Sequence, residues 1–316
     1  MLPCPVLDND QVAALADMRE LIDVVETCFV ARAQGRLTAP PRHAVDFAGP
    51  QLVFTIGGMT EPRGGGIAGF RVYESAPGLG AAHDQLTAVW DTATHRLAGL
   101  VVGERLGALR TGAIGGVALR YMAPLTARTL GVIGTGRQAE TQVMAAMAVL
   151  PSLTHIHVFG RNAANRAAFA ARLEDRFDMN VHAVDTARQA VEGADVVICA
   201  TSSEQPVIDT SWLAPGAHLS TLGAKSSDRH EVPRAVGDLA TWTATDSPEQ
   251  ARSYKQGFFL DGTPAGNAMR DLADIVHSGA SIRRSEHDMT LFCSVGLAGT
   301  EVAIANALLR RAGGMT

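Results

Sequence analysis

The sequence predicts an α/β protein, a Rossmann-type doubly wound parallel sheet plus a second α+β domain. Three observations carry that expectation. From Arg128 onward, short apolar runs alternate with helical patterns of about 10–15 residues, the beat of βαβ units. A glycine turn, Gly134-Thr135-Gly136, sits where the first of those runs meets a helix. The chain of 316 residues also exceeds the length at which a single hydrophobic core usually stops growing, so two domains are expected.

Taken in order, Val12, Leu15, Met18, Leu21, Ile22, Val25 and Phe29 recur at spacings of three and four, which predicts one long amphipathic helix over 10–34, ending near Gly35. Between 42 and 103 the runs RHAVDF, QLVFTI, IAGFRVYE, LTAVWDT and LAGLVVG, separated by Gly, Pro, Asp and Asn, predict five antiparallel strands. Residues 104–122 return to helical spacing and stop before Pro124. TLGVI, IHVF, NVHAV, DVVICAT and AHLSTL then read as parallel strands, with helices over 137–149 and 162–176 and a short one before DVVICAT. LATWTATD reads as a last strand, followed by a helix that Ser247 caps ahead of Pro248 and Glu249. Two more helices are expected around MTLFCSVG in the tail from about 270.

Composition narrows the function. Lys and Arg number 27 against 32 Asp and Glu, a formal charge of −5, and no basic run exceeds two residues. Binding to a phosphate backbone needs the opposite balance, so no nucleic-acid partner is expected. Cys4, Cys28, Cys199 and Cys293 have no CxxC spacing and no paired histidines, which argues against a metal site or a disulfide framework and for free thiols in a reducing cytoplasm. MLPCPVLDND lacks the basic start and apolar run of a signal peptide, and no 18-residue apolar stretch occurs, so no membrane segment is expected.

The chemistry is concentrated in TLGVIGTGRQAET. Gly134 permits the tight turn, Gly136 lets backbone approach a pyrophosphate, and the small Ala139 allows close helix-to-strand packing. The helix N-terminus that follows, with Arg137 and Gln138 in its first turn, would face the phosphates. After the second strand, where an acid would select NAD by binding the ribose 2′-hydroxyl, the chain instead carries Gly160, Arg161 and Asn162, with Arg166 one turn on. A guanidinium fork suits a 2′-phosphate, so NADP(H) is favoured, with NAD(H) also accommodated. Elsewhere, Arg42 and the Arg110-Thr111 pair are candidates for a substrate carboxylate, and Arg71 lies in the apolar strand GFRVYE. Of ten histidines none has HxxxH or HExxH spacing. His287 reads as solvent-facing, while His83 and His230 fall at loops where function concentrates. No Ser-His-Asp elbow, P-loop or catalytic thiol is found.

Together these segments resemble the ornithine cyclodeaminase/mu-crystallin family. The likeness runs nearly end to end: the PxR segment at Arg42, GFRVYESAPG at 69–78, ALRTGAIGGVALRYMA at 108–123, TLGVIGTGRQAETQ, VEGADVVICAT, WLAPGAHLSTLGA and LFCSVGLAGTEVA at 291–303. The resemblance implies a homodimer whose substrate-binding and dimerisation domain is built from both chain ends, 1–125 with 275–316, around a dinucleotide-binding domain at 126–274. It implies hydride chemistry at the carbon between a carboxylate and a nitrogen. Arg42, Arg110 and Thr111 fall at carboxylate-binding positions, Gly134, Gly136 and Ala139 in the nucleotide loop with Thr201 also on the cofactor side, and Gly296 in the nicotinamide-side loop.

Two departures bear on mechanism. Arg71 stands where the family usually has a catalytic lysine, and Lys225 where cyclodeaminases have an aspartate. An arginine stays protonated near neutral pH, so it can orient a reacting group but is a poor proton donor. Losing the aspartate removes the group that would activate an amine, which argues against ornithine cyclisation. Lys225, Asp228 or His230 could take over proton transfer. The expectation is a cytoplasmic, homodimeric NAD(P)-dependent imine reductase or amino-acid dehydrogenase acting on a small amino, imino or keto acid. Arg42 and Arg110 would clamp the carboxylate, Arg71 would polarise the reacting group, and Lys225 or water would supply the proton. The alternatives are an NAD+-recycling, ammonia-releasing ornithine cyclodeaminase and a non-catalytic protein that binds NADP(H) and a small carboxylate.

Overall fold

The computed structural model describes residues 4–75, 84–283 and 285–314. Its elements in chain order begin with β1 (Val6–Leu7), α1 (Asn9–Leu15), α2 (Met18–Ala33), β2 (Leu37–Thr38), β3 (His43–Asp46), β4 (Gln51–Thr60), β5 (Gly66–Ser75), β6 (Gln85–Asp91), β7 (Arg96–Val102) and α3 (Arg105–Met122). There follow β8 (Thr129–Ile133), α4 (Arg137–Val149), β9 (His155–Phe159), α5 (Ala163–Phe177), β10 (Val181–Ala183), α6 (Ala187–Val191), β11 (Val196–Cys199) and β12 (His218–Thr221). The chain closes with α7 (Val236–Leu239), β13 (Trp242–Thr245), α8 (Pro248–Arg252), α9 (Pro264–Asn267), β14 (Arg270–Asp271), α10 (Leu272–His277), β15 (Thr290–Cys293) and α11 (Thr300–Gly314).

Two compact units result, Met1–Ala113 with Gly296–Thr316, and Ile114–Val295. The boundaries move from the expected 125/126 and 274/275 for a physical reason at each end. Leu119 and Ala123 share a core with Leu130 and Val143, so the second half of α3 belongs with the nucleotide-type sheet. At the other end, β15 runs inside that sheet, between β12 and β13, so the second unit extends to Val295.

The sheet of the second unit is parallel throughout, with order β10-β9-β8-β11-β12-β15-β13-β14. LATWTATD supplies β13, yet β15, later in the chain, lies closer to the centre. Every residue of β11, β12 and β15 is buried. The apolar run of β11, VVIC, follows from having both faces covered, whereas β12 buries His218, Ser220 and Thr221, with His218 bonded to Thr290 and Ser220. One face carries Leu130, Val132, Val143, Ile156, Val158, Phe169 and Ile198; the other carries Val197, Leu219, Phe258, Phe259 and Leu291. The chain leaves β8 toward β9 and β10 and then returns to β11, so the strand order reverses between β8 and β11. In such sheets the carboxyl edge at the reversal is the binding crevice.

In the first unit β3 to β7 form the five antiparallel strands expected, and two short strands extend them: β1 pairs parallel with β7, and β2 pairs antiparallel with β4. The long helix expected over 10–34 is two. Ala16 is extended (φ −78°, ψ 122°) and the Asp17 side chain accepts from Glu20 N, capping α2. A break that leaves Leu15 and Met18 three residues apart is invisible to apolar periodicity, since both helices keep the same buried stripe. α2 and α11 cover one sheet face.

Candidate functional site

In the second unit the strand β8 ends at Gly134, whose φ is +119° and whose position admits no Cβ because Ala200 O, at the end of β11, lies against it. Gly136 is different: a Cβ there would meet nothing within 4 Å, and its φ is an ordinary −89°. It caps the 13-residue α4 without a side-chain hydrogen bond, and Gly136, Arg137 and Gln138 are exposed while Ala139 is fully buried against the sheet. An uncapped helix N-terminus facing open space beside a glycine fits the pyrophosphate of a dinucleotide.

The neighbouring segments divide into binding and structural roles. Arg161 is exposed beyond β9. Asn162 accepts from Asn165 N as the cap of α5, and Arg166 is spent on Gly160 O (2.9 Å) and Asp185 (2.9 Å), so Arg161 alone remains of the expected phosphate arginines. Thr201 lies beyond β11, with both its N–H (2.9 Å) and its hydroxyl (2.8 Å) donating to Glu231 Oε2. Glu231, fully buried, also accepts on Oε1 from the Thr221 hydroxyl (2.8 Å), Leu222 N (2.7 Å) and Gly223 N. This carboxylate therefore gathers the loop ends after β11 and β12.

Lys225 is 1% exposed, and its Nζ donates to Gly223 O at 2.6 Å. It pairs with His230 through an antiparallel bridge, and the His230 ring stacks on Phe259 at 5.8 Å with its Nδ1 buried and without a hydrogen-bond partner. Asp228 and His287 are exposed, and His83 lies outside the described residues.

The first unit collects the cations. Strand register sets them: Arg71 on β5 lies between Thr55 on β4 and Thr87 on β6, and Tyr73, two residues on, lies opposite Gln85. Because side chains alternate along a strand, these residues share one face. Arg71 donates from Nε (3.0 Å) and Nη2 (2.5 Å) to Gln85 Oε1, and its Cζ sits 4.3 Å from the centroid of the Tyr73 ring. Gly107 on α3 leaves room for this guanidinium.

One turn further along α3, Arg110 is 7% exposed, its Nη2 is 3.7 Å from Glu301 Oε1, and its Nε is buried without a hydrogen-bond partner. Gly296, at φ +89°, keeps the space beside it clear: a Cβ there would lie 2.9 Å from Arg110 Nη1 and 3.3 Å from Arg42 Nη2. Arg42 itself is exposed. The expected residues Arg42, Arg71, Arg110 and Gly296 thus converge. Thr111 is less well placed for a ligand, since its hydroxyl donates to Gly107 O at 3.0 Å within the helix.

Glu301, fully buried at the start of α11, is the acid that sequence reasoning missed. Its Oε1 accepts from the Thr55 hydroxyl (2.5 Å) and its Oε2 from that of Thr300 (3.3 Å). Burial pushes its carboxyl up, but Arg110 and Arg71 prevail and hold it below the usual carboxylate range. Burial, and then Arg110, lower Arg71 to about 10, which still leaves it protonated at neutral pH. The only signal in the sequence was one charged residue inside the apolar helical run VGLAGTEVAIA.

A Delta(1)-pyrroline-2-carboxylate reductase of Bacillus cereus is 28% identical over 221 residues, 67% of this chain, and the match spans 66% of that relative, just under two thirds of its length. The Thermococcus litoralis Delta(1)-pyrroline-2-carboxylate reductase, solved with NADH and L-proline, superposes with a TM-score of 0.88 at 25% identity, covering 98% of each chain. A lysine cyclodeaminase structure, 27% identical, gives a TM-score of 0.82 over 99% of this chain and 94% of its own. The model of the ornithine cyclodeaminase/mu-crystallin family matches residues 5–314, and the chain belongs to that family.

Proposed function

We propose that the protein is an NAD(P)-dependent oxidoreductase acting at the α carbon of a small amino, imino or keto acid, as an imine reductase or amino-acid dehydrogenase. The observation that carries this reading is the convergence of Arg42, Arg71 and Arg110 about Gly296, with Glu301 as counter-ion. It is supported by a dinucleotide cradle at Gly134 and Gly136 and by the reductase relatives. A bound nicotinamide supplies or accepts the hydride. Arg110 and Arg42 bind the substrate carboxylate, using donors that no described residue satisfies in the case of Arg110 Nε. Arg71, fixed by Gln85 and Tyr73, orients and polarises the reacting group without giving up a proton. The proton comes from Lys225 or from water. Exposed Arg161 favours NADP(H) over NAD(H).

The chain acts as a homodimer. The sheet face of the first unit that points away from α2 and α11 carries Ile56 (53% exposed) and Trp90 (37% exposed), with Trp90 packed on Phe70 at 5.9 Å, an apolar surface suited to a second copy. A cytoplasmic setting is consistent with four free cysteines and with no helix among the described residues being long and apolar enough to cross a membrane.

A fluorescence titration with NADPH and NADH, followed by absorbance monitoring as imino acids are added, tests the reading. Preferential NADPH binding with stoichiometric oxidation is expected. Ammonia release from ornithine without net cofactor change would make the protein a cyclodeaminase, and binding without any turnover would make it a carrier.

A further inference from the structure

The parallel sheet of the second unit has an open cavity at its other end. Thr126, Asp195, Ala217 and Glu286 stand on the segments that lead into β8, β11, β12 and β15, and all four line a space of about 530 Å³ at the amino edge. That volume lies within the range of small-molecule sites, about 300–1,000 Å³. The nucleotide turn leaves β8 at its carboxyl end, so this cavity is separate from the crevice at the strand-order reversal, and no step of the proposed reaction uses it.

Arg283 gives the cavity its character. Its Nη2 donates to Glu286 O at 3.2 Å, while its Nη1 is buried without a hydrogen-bond partner. Burial lowers its pKa more than the field of Asp288 raises it, and among the described residues no carboxylate forms an ion pair with it, so the charge is held undercompensated. Gly216, at φ +77°, admits the carbonyl that fixes it: a Cβ there would strike Glu286 O and lie 3.5 Å from Arg283 Nη2. A negative group is also present but partly committed. Asp195 Oδ2 accepts from Arg128 N (2.7 Å) and Thr129 N (3.0 Å) at the start of β8, whereas its Oδ1 accepts from no described residue. Between them, Pro124, Leu125, Ala214 and Pro215 supply an apolar wall. A simple carboxylate would answer Arg283 but leave Asp195 facing another anion, and a simple amine would do the reverse. A ligand with both charges on one carbon and an apolar side chain answers all three features.

We propose that this cavity binds the zwitterion of an apolar α-amino acid, its carboxylate on Arg283, its ammonium on Asp195 and its side chain against Leu125 and Pro215. The site is distinct from the one that carries the proposed reaction and holds whatever that reaction is.

The experiment titrates the full chain calorimetrically at low salt with L-valine, with isovalerate, which lacks the ammonium, and with isobutylamine, which lacks the carboxylate. Valine is expected to bind about tenfold or more tightly than either, the worth of one charge-assisted contact. Arg283→Gln, which keeps a donor for Glu286 O, should remove that binding while circular dichroism reports retained folding. Leu125→Ser, at a position that is 56% exposed and safe for the fold, should weaken valine more than glycine. The proposed reaction also involves an amino or imino acid, so Arg42→Gln in the first unit serves as the control and should leave the Arg283-dependent heat in place. Valine binding that survives Arg283→Gln and is lost in Arg42→Gln overturns the proposal and leaves the oxidoreductase reading intact. Equal affinity for valine and either single-charge probe, or no Arg283-dependent binding of any of the three, overturns it as well. Arg283-dependent valine binding by a chain that oxidises no nicotinamide with any imine upholds this site and overturns the oxidoreductase reading.

Discussion

Glu231 and Glu301 are both fully buried carboxylates, one in each unit, and their neighbours give them opposite jobs. Glu231 accepts only from neutral donors, the N–H and hydroxyl of Thr201, the hydroxyl of Thr221 and the N–H groups of Leu222 and Gly223. The Thr201 bonds tie the loop after β11 to the segment after β12, and the others fold that segment back onto the end of β12, so the charge is consumed in building the carboxyl edge of the parallel sheet. Glu301 takes two hydroxyls and spends the rest of its field on Arg71 and Arg110. A buried acid surrounded by backbone N–H groups is architecture, whereas one beside the unsatisfied Arg110 Nε is what the proposed binding role of this cluster would use.

Removing each acid should expose the difference. Glu231→Ala leaves the N–H groups of Thr201 and Gly223 without an acceptor, while Leu222 N keeps Cys199 O at 3.0 Å, and equilibrium denaturation should report a loss of about 3–5 kcal/mol that no added anion restores. Glu301→Gln also destabilises, by leaving two guanidiniums uncompensated, but there an external carboxylate can take the vacant role. Its thermal midpoint should therefore rise steeply with added succinate while that of the Glu231 variant stays flat. Equal responses of the two variants would erase the distinction.

The two glycines of the nucleotide turn sharpen the same contrast between building and binding. Gly136→Ala adds a methyl where the protein has only open space, so the thermal midpoint should hold while dinucleotide affinity falls on the order of 100-fold, about 2.7 kcal/mol. Gly134→Ala forces a Cβ onto Ala200 O at φ +119° and should lower stability before it changes any ligand contact. Intact cofactor binding by Gly136→Ala would mean that the phosphates do not approach that helix.

Acid should also distinguish the units. His218 is fully buried between Thr290 (2.8 Å) and Ser220 (2.9 Å), and burial lowers its pKa from 6.5 to about 3. A histidine depressed on folding binds its proton more readily when unfolded, so stability is intact above 6.5 and declines as pH falls toward about 3. At about 1.4 kcal/mol per pH unit, that is about 2 kcal/mol by pH 5. Urea titrations at pH 7 and 5 should show this loss in the native chain and a smaller one in His218→Asn. Glu301 works in a lower window. Its carboxyl is depressed in the folded state, so its contribution is full above the ordinary carboxylate pKa and disappears only as pH falls through the folded value.

How much of this could be read in advance differs between the units for the same physical reasons. The parallel unit was legible because β8 and β11, covered on both faces, spell nearly uninterrupted apolar runs, and because the positive φ of Gly134 and the small Ala139 belong to a turn whose spacing is written in the sequence. Helix α4 starts and stops where its pattern does. The cation cluster was legible only in part. Arg42, Arg71 and Arg110 could be named singly, but that Gln85 and Tyr73 fix Arg71 depends on the β5 and β6 register, which no local pattern sets. Glu301 reaches Thr55 across a separation of 246 residues. Two structural readings failed for related reasons: Asp17 starts a new helix without disturbing the apolar stripe, and β15 inserts ahead of β13 because sheet order is tertiary information.

Arg161 offers the smallest effect and the finest test of where binding ends and architecture begins. Its neighbours are both structural, Asn162 capping α5 and Arg166 bridging Gly160 O and Asp185, so among the described residues at that strand end the exposed Arg161 guanidinium is the basic group that the proposed NADP(H) preference would draw on. Exposed charge contacts are screened by water and salt, and the contribution to affinity should be about 1 kcal/mol or less. Arg161→Ala should thus reduce NADPH affinity by roughly fivefold at low salt, leave NADH affinity unchanged and leave the denaturation midpoint where it was. The difference should shrink as salt is raised. A parallel fall in both cofactors would assign Arg161 to the loop rather than to the phosphate, and the unit would then bind NAD(H) and NADP(H) alike.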